Sequence, residues 1–147
     1  MTAPSETTDG LPGDAPSPTV ASLVLEGDGG RIGQARRFAA SFLRTAGEAV
    51  GIPIDLRTAE TAQLIVSELV TNALRHAPGP GLLRLSVFDG TLRIEVRDGS
   101  PVAPAVRAPD PARVGQHGLE IVTALARSVT VEAAGSGKSV TAVVGLT

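Results

Sequence analysis

Cysteine, tryptophan and tyrosine are all missing from this chain, and its aromatic content is three phenylalanines. Without thiols there is no disulfide, no thiolate zinc site and no cysteine nucleophile, which fits a reducing cytoplasm. An excess of charge of one sign is also lacking: 13 basic side chains face 15 acidic ones, for a net charge of −2. A chain with neither a positive field nor stacking rings is not equipped to grip nucleic acid directly. No stretch approaches the ~20 consecutive apolar residues that a membrane-spanning helix needs. Glu6, Asp9 and Asp14 precede any basic residue, the wrong sign for a secretory signal. The expectation is a soluble, cytoplasmic protein with no membrane partner. What remains is 147 residues, 42% of them hydrophobic, enough for one domain with a real core.

Residues 1–19 carry Pro4, Pro12, Pro16 and Pro18 and no hydrophobic period, so they bury too little to offset the entropy of ordering and are expected to form a disordered tail. The domain is expected over 20–147. Val20 to Leu25 reads as a strand closed by the turn-forming run Glu26-Gly27-Asp28-Gly29-Gly30. Ile32, Ala35, Phe38, Ala39, Phe42 and Leu43 recur at three and four residues, which predicts an amphipathic helix ending around Gly51-Ile52-Pro53. Asp55 is placed to cap a second helix running through Ala77 and stopped by Pro78-Gly79-Pro80. Leu83, Leu85 and Val87, then Asp89-Gly90, then Leu92, Ile94 and Val96 spell a β-hairpin with a tight turn. Residues 99–117, with four prolines, exceed the ~4–6 residues of an ordinary connection and read as a functional lid. Gly118 to Arg127 predicts a third helix, and Val129–Ala133 with Ser139–Val144 a closing hairpin. The order β-α-α-β-β-α-β-β implies an α+β sandwich, one mainly antiparallel sheet covered on one face by three helices.

Three places could carry chemistry. On the second helix Glu68, Asn72 and His76 step by four along one stripe among apolar neighbours. Polar groups so placed need partners, and a cation would supply one: Asn72 offers a neutral carbonyl oxygen to Mg²⁺, and Glu68 one turn away can take a proton from a hydroxyl or water near a phosphate. The plain alternative is a half-exposed polar stripe with Glu68 paired to Arg75. Asp98 ends the central hairpin and can accept from the exocyclic amine of a purine; the alternative is an ordinary Asp-Gly turn. Gly115-Gln116-His117-Gly118 opens the third helix, where unpaired N–H groups and the helix dipole favour phosphate, or where glycine is simply an N-cap. Gly137-Lys138-Ser139 is no phosphate loop, because Glu132 stands where its first glycine belongs and a strand pattern follows. His76 and His117 lack metal-ligand spacing partners, which disfavours zinc.

Taken together these blocks resemble the ATP-binding domain shared by gyrase B, heat-shock protein 90, histidine kinases and MutL, the GHKL type, and most closely the small bacterial anti-sigma-factor serine/threonine kinases. SELVTNALRH, Ser67 to His76, resembles the family's N box; Asp98-Gly99-Ser100 its first glycine box; GQHGLEIV, Gly115 to Val122, its second; and GSGKSVT, Gly135 to Thr141, its last. The resemblance implies a Bergerat-type two-layer α/β sandwich that binds ATP with Mg²⁺. It implies that Asn72 coordinates Mg²⁺, that Glu68 is the catalytic base and that Asp98 accepts from adenine N6. It also implies that Gly115, His117, Gly118 and Leu119 lie at the phosphates, that Ser139 supports the base and that residues 99–117 form the nucleotide lid. Implied partners are a STAS-type anti-sigma-factor antagonist, a sigma factor and a second copy of the chain. Two departures stand out: Ser100-Pro101 replaces the second glycine of the first box, and Gln116 and His117 stand where relatives often have a basic residue. Two functions follow, a serine kinase acting on the antagonist, or a non-catalytic module whose nucleotide orders a partner surface and sequesters a sigma factor or other regulator.

Overall fold

The computed structural model describes residues 19–26, 30–76, 80–99, 118–134 and 137–146. The chain forms β1 (Val20–Leu25), α1 (Arg31–Val50), α2 (Leu56–His76), β2 (Gly81–Phe88), β3 (Thr91–Asp98), α3 (Gly118–Leu125), β4 (Ser128–Ala134) and β5 (Gly137–Gly145). This is the expected element order. The strands make one sheet in the order β1-β2-β3-β5-β4, and every pairing among them is antiparallel. Of the expected tail only Thr19 is described, and its carbonyl already accepts the Val87 N–H at 2.8 Å. The expected lid, apart from Gly99, lies outside the described residues.

Each element follows from its local pattern. On α1, Ala35, Ala39, Phe42, Leu43 and Ala46 are buried, at three- and four-residue steps that make one stripe. On α2 the stripe is Ala62, Ile65, Val66, Leu69, Val70 and Ala73, whereas Leu64 turns to solvent at 42% exposure. The β2–β3 hairpin turns on Asp89 and Gly90, both at positive φ, 54° and 72°. Two consecutive left-handed residues are what a two-residue hairpin needs to match the strands' twist, and Asp-Gly supplies them. On β2 and β3 burial alternates, with Leu83, Leu85 and Val87 and then Leu92, Ile94 and Val96 buried on the helix-covered face, where Val140, Ala142 and Val144 of β5 join them; β5 is buried on both faces over residues 137–142. Burying each of the leucine, isoleucine and valine side chains among them contributes roughly 1.5–3 kcal/mol. Above that face α2 is the middle helix. It packs against α1 on one side and α3 on the other and rests on β3 and β5, while α1 covers β1 and β2 and α3 meets β4. No helix among the described residues is long and apolar enough to cross a membrane.

Asp55 does cap α2: its Oδ1 accepts the Thr58 N–H at 2.8 Å, and its carbonyl accepts the Ala59 N–H at 3.0 Å. The Thr58 backbone bond foremost, then the Thr58 side chain, outweigh slight desolvation and with the nearby Arg57 charge hold the Asp55 carboxyl below its ordinary 3.8. A carboxyl lowered on folding stabilises above its unfolded value and loses that contribution as pH falls through the lowered one. Asp55→Ala is therefore expected to lower the thermal unfolding midpoint at neutral pH. Its gap from wild type should close well below pH 3.8, which thermal denaturation followed by circular dichroism at the two pH values would show.

Candidate functional site

Asp98 is the last residue of β3 and pairs in register with Lys138 near the start of β5. Both side chains point to the helix-covered face, because they continue the alternation of Leu92, Ile94 and Val96 and of Val144, Ala142 and Val140. There they meet: Lys138 Nζ donates to both carboxylate oxygens of Asp98, at 3.0 and 2.9 Å. The ion pair is almost wholly enclosed, with side chains 1% and 3% exposed. The neighbouring glycine makes this approach possible, since a Cβ at Gly137 would drive into the Asp98 carbonyl oxygen. The strand end is thus defined from both sides by the short run Gly137-Lys138.

Ser139 is where the structure departs from expectation. One residue past Lys138, it belongs to the opposite face of the sheet, where its hydroxyl donates to Glu95 Oε2 at 2.7 Å. The alternation that turns Lys138 toward Asp98 turns Ser139 away from it, so Ser139 is not the β5 residue beside the expected base acceptor; Lys138 is. Glu95 also accepts from Arg97 Nε at 2.9 Å. Burial pushes the Glu95 carboxyl up. The Ser139 and Arg97 hydrogen bonds, with the charges of Arg97 and Arg93, outweigh that and leave it below its ordinary value. Glu95 and Lys138 are the polar residues that the sequence reading passed over. The signal for Lys138 was present in the period-two pattern of Val140, Ala142 and Val144 extended one step back.

Glu68 and Asn72 are both half-buried, one turn apart on α2 and flanked by the buried Leu69, Val70 and Ala73. They sit on the helix that packs over β3 and β5 and against α3. Gly118 is the first residue of α3, and Leu119 after it is buried in the core. Gly115 and His117, like Ser100-Pro101, lie outside the described residues. The helix bearing Asn72 is therefore the direct neighbour of both β3, which ends at Asp98, and α3, which begins at Gly118, and Asp98 itself is built into a buried ion pair. Among the described residues no three His, Cys, Asp or Glu side chains group together as a metal site. A single carboxamide oxygen at Asn72 suits a divalent cation that arrives already bound to phosphates, as Mg²⁺ does. A separate groove of about 480 Å³ runs between α1 and the segment leading to α2, lined by Arg44, Gly47, Glu48, Ile52 and Pro53 among others, away from these residues in the fold.

Three helices over one face of an open antiparallel sheet, with a carboxylate at the end of a central strand, define a two-layer α/β sandwich. The chain belongs to the histidine kinase-like ATPase domain family, whose model matches residues 26–144. Membership makes ATP the ligand class. The structure of the RsbU and RsbW domains of Rv1364c from Mycobacterium tuberculosis shares the fold, with a TM-score of 0.64 at 20% identity over 90% of this chain and 33% of that one. The histidine kinase domain of the blue-light activated histidine kinase from Erythrobacter litoralis aligns at a TM-score of 0.48 and 26% identity, over 74% and 61% of the two chains. The chain thus spans less than two thirds of the length of either. No curated protein matches it.

Proposed function

We propose that the domain is an ATP-dependent protein serine kinase of the anti-sigma-factor type, acting on a STAS-type anti-sigma-factor antagonist and also holding a sigma factor. The observation that carries this reading is the pair Glu68 and Asn72, a carboxylate and a carboxamide one turn apart and half-exposed on the helix over β3. A pure binding module has no use for the carboxylate. In the proposed reaction the serine hydroxyl of the antagonist attacks the γ-phosphorus, its proton passes to a Glu68 carboxylate oxygen, and the bond from the γ-phosphorus to the bridging oxygen breaks with its electron pair leaving on ADP. Asn72 Oδ1 would hold Mg²⁺, which when bound neutralises phosphate charge. Asp98 accepts the adenine N6 amine, and the backbone N–H groups at the start of α3 face the phosphates. The protein's contribution is position and charge, which phosphoryl transfer chiefly requires.

Calorimetry with Mg-ATP and Mg-GTP tests the ligand. Wild type is expected to prefer ATP by at least about 100-fold, because a site built around an acceptor leaves it unpaired against a 6-oxo base. Asp98→Asn is expected to lose most of that preference, the amide being able to present either a donor or an acceptor. Equal affinity of the wild type for the two nucleotides overturns the assignment of Asp98. ATP binding with no transfer to any antagonist would leave a binding module in place of a kinase.

A further inference from the structure

The helices cover one face of the sheet and leave the other without a covering element among the described residues. Register fixes what that open face presents, because residues paired side by side on antiparallel strands point the same way. One row across β1, β2 and β3 is Val20, Ser86 and Arg93, the next is Ser22, Arg84 and Glu95, and the third is Val24, Leu82 and Arg97. Phe88 and Thr91 form a further row at the hairpin end; Phe88 is 81% exposed and Val24 52%. Arg93 and Arg97 are exposed and Arg84 is half-buried. On this face the three strands thus carry three arginines against one glutamate. Glu95 is already held by Arg97 and Ser139, so the surplus positive charge stands beside an exposed aromatic ring with no carboxylate of these strands to match it.

The segment that leads into β1 has the complementary character. Residues 1–18 hold Glu6, Asp9 and Asp14 and no lysine or arginine. They join the sheet at its β1 edge, where Val20 lies in the Arg93 row and the Thr19 carbonyl accepts the N–H of Val87, next to Phe88. Pro12, Pro16 and Pro18 lack the N–H that a further edge pairing would use, which favours a path across the face over one along the edge. Length is no obstacle. Six residue steps from Asp14 to Val20 span about 19 Å in an extended proline-rich chain, and Arg93 lies two strand spacings, about 10 Å, from Val20. Exposed ion pairs are individually weak, but a tethered segment meets its site at an effective concentration of about millimolar, so a few suffice. We propose that residues 1–18 are the occupant of the open face, their carboxylates set against Arg84, Arg93 and Arg97 and their apolar residues against Phe88. This face is opposite the one that carries Asp98 and α2, so the proposal stands apart from the nucleotide reading. Any other partner of the face must first displace the segment.

The chain has no cysteine, so a nitroxide on the full-length Thr8→Cys protein reports from one position. The backbone amide NMR signals of Ser86, Phe88 and Arg93 are expected to lose most of their intensity to the label. Those of Arg36 and Arg37, exposed arginines of α1 on the other side of the sheet, should keep most of theirs. Arg84→Gln/Arg93→Gln should restore the lost signals, as should salt near 1 M, where the Debye length is about 3 Å. Should that double variant not fold, Glu6→Gln/Asp9→Asn/Asp14→Asn removes the same attraction from the other partner without touching a described element, and the same recovery is expected. No loss on β2 and β3, equal loss at Arg36 and Arg37, or a loss that persists in the charge variants overturns the proposal. A spin-labelled chain mixed with an isotopically enriched, label-free one separates the remaining occupant: the enriched spectrum should stay unchanged, and losses there on β2 and β3 would make a second copy the occupant and overturn the proposal.

Discussion

Lys138→Ala is expected to lower the unfolding free energy by about 3–5 kcal/mol, because it removes the ammonium that offsets the enclosed Asp98 charge. The two side chains are 1% and 3% exposed, so water cannot take the place of the lost ammonium. Asp98→Ala should cost a similar amount for the reciprocal reason. The paired replacement Asp98→Leu/Lys138→Met removes both charges and is expected to recover most of the loss, since a buried ion pair roughly breaks even against well-packed apolar groups. Urea unfolding of the four proteins reads each of these differences. A domain with ordinary stability of about 5–15 kcal/mol survives either single change in measurable form. Single losses under about 1 kcal/mol, the size of an exposed pair such as Arg97 with Glu95, would show that the contact is not sealed in solution.

The second large effect belongs to chemistry. Glu68→Ala is expected to slow phosphoryl transfer to an antagonist by about 10²–10⁴-fold, the usual worth of a positioned proton acceptor, while changing the ATP dissociation constant only a few-fold. Glu68 is half-buried and outside the hydrophobic core, so its truncation opens no core cavity and the fold should be undisturbed. Radiolabel from γ-labelled ATP appearing on serine at an unchanged rate in the variant would remove Glu68 from the reaction. Weakened binding and slowed transfer in equal proportion would instead make it a ligand contact. Asn72→Ala offers the complementary result, a loss of Mg-dependent nucleotide binding, because no cluster of acidic side chains among the described residues stands ready to replace it.

The parts legible in the sequence are those whose cause is local. The hairpin of β2 and β3 could be read because Leu83, Leu85, Val87, Leu92, Ile94 and Val96 alternate and Asp89-Gly90 favours the left-handed turn that joins such strands in two residues. The start of α2 could be read from the Asp55 cap, which acts within three residues of itself. Where the reading fell short, the missing information was relational. Leu64 and Leu125 share the apolar character of their helices yet are both 42% exposed. How far a helix rotates about its axis is settled by what lies on either side of it, and α2 is held by both α1 and α3.

The sharpest case is the stretch Gly137-Lys138-Ser139. Read in isolation its lysine has no role once a phosphate loop is excluded, and it is the family resemblance that makes the serine the companion of the base. A single residue of register separates the two readings, and register is decided by pairing with β3 forty positions earlier in the chain, not by anything within the motif. Composition, period and turn chemistry by themselves determined that this chain builds helices over an antiparallel sheet and which short blocks resemble a nucleotide site, because each of those causes acts between near neighbours. Tertiary structure alone decided that Lys138 and Asp98 meet in a sealed contact while Ser139 faces the other way with Glu95. Burial and charge pairing depend on what the fold places opposite a residue, and that is not written next to it.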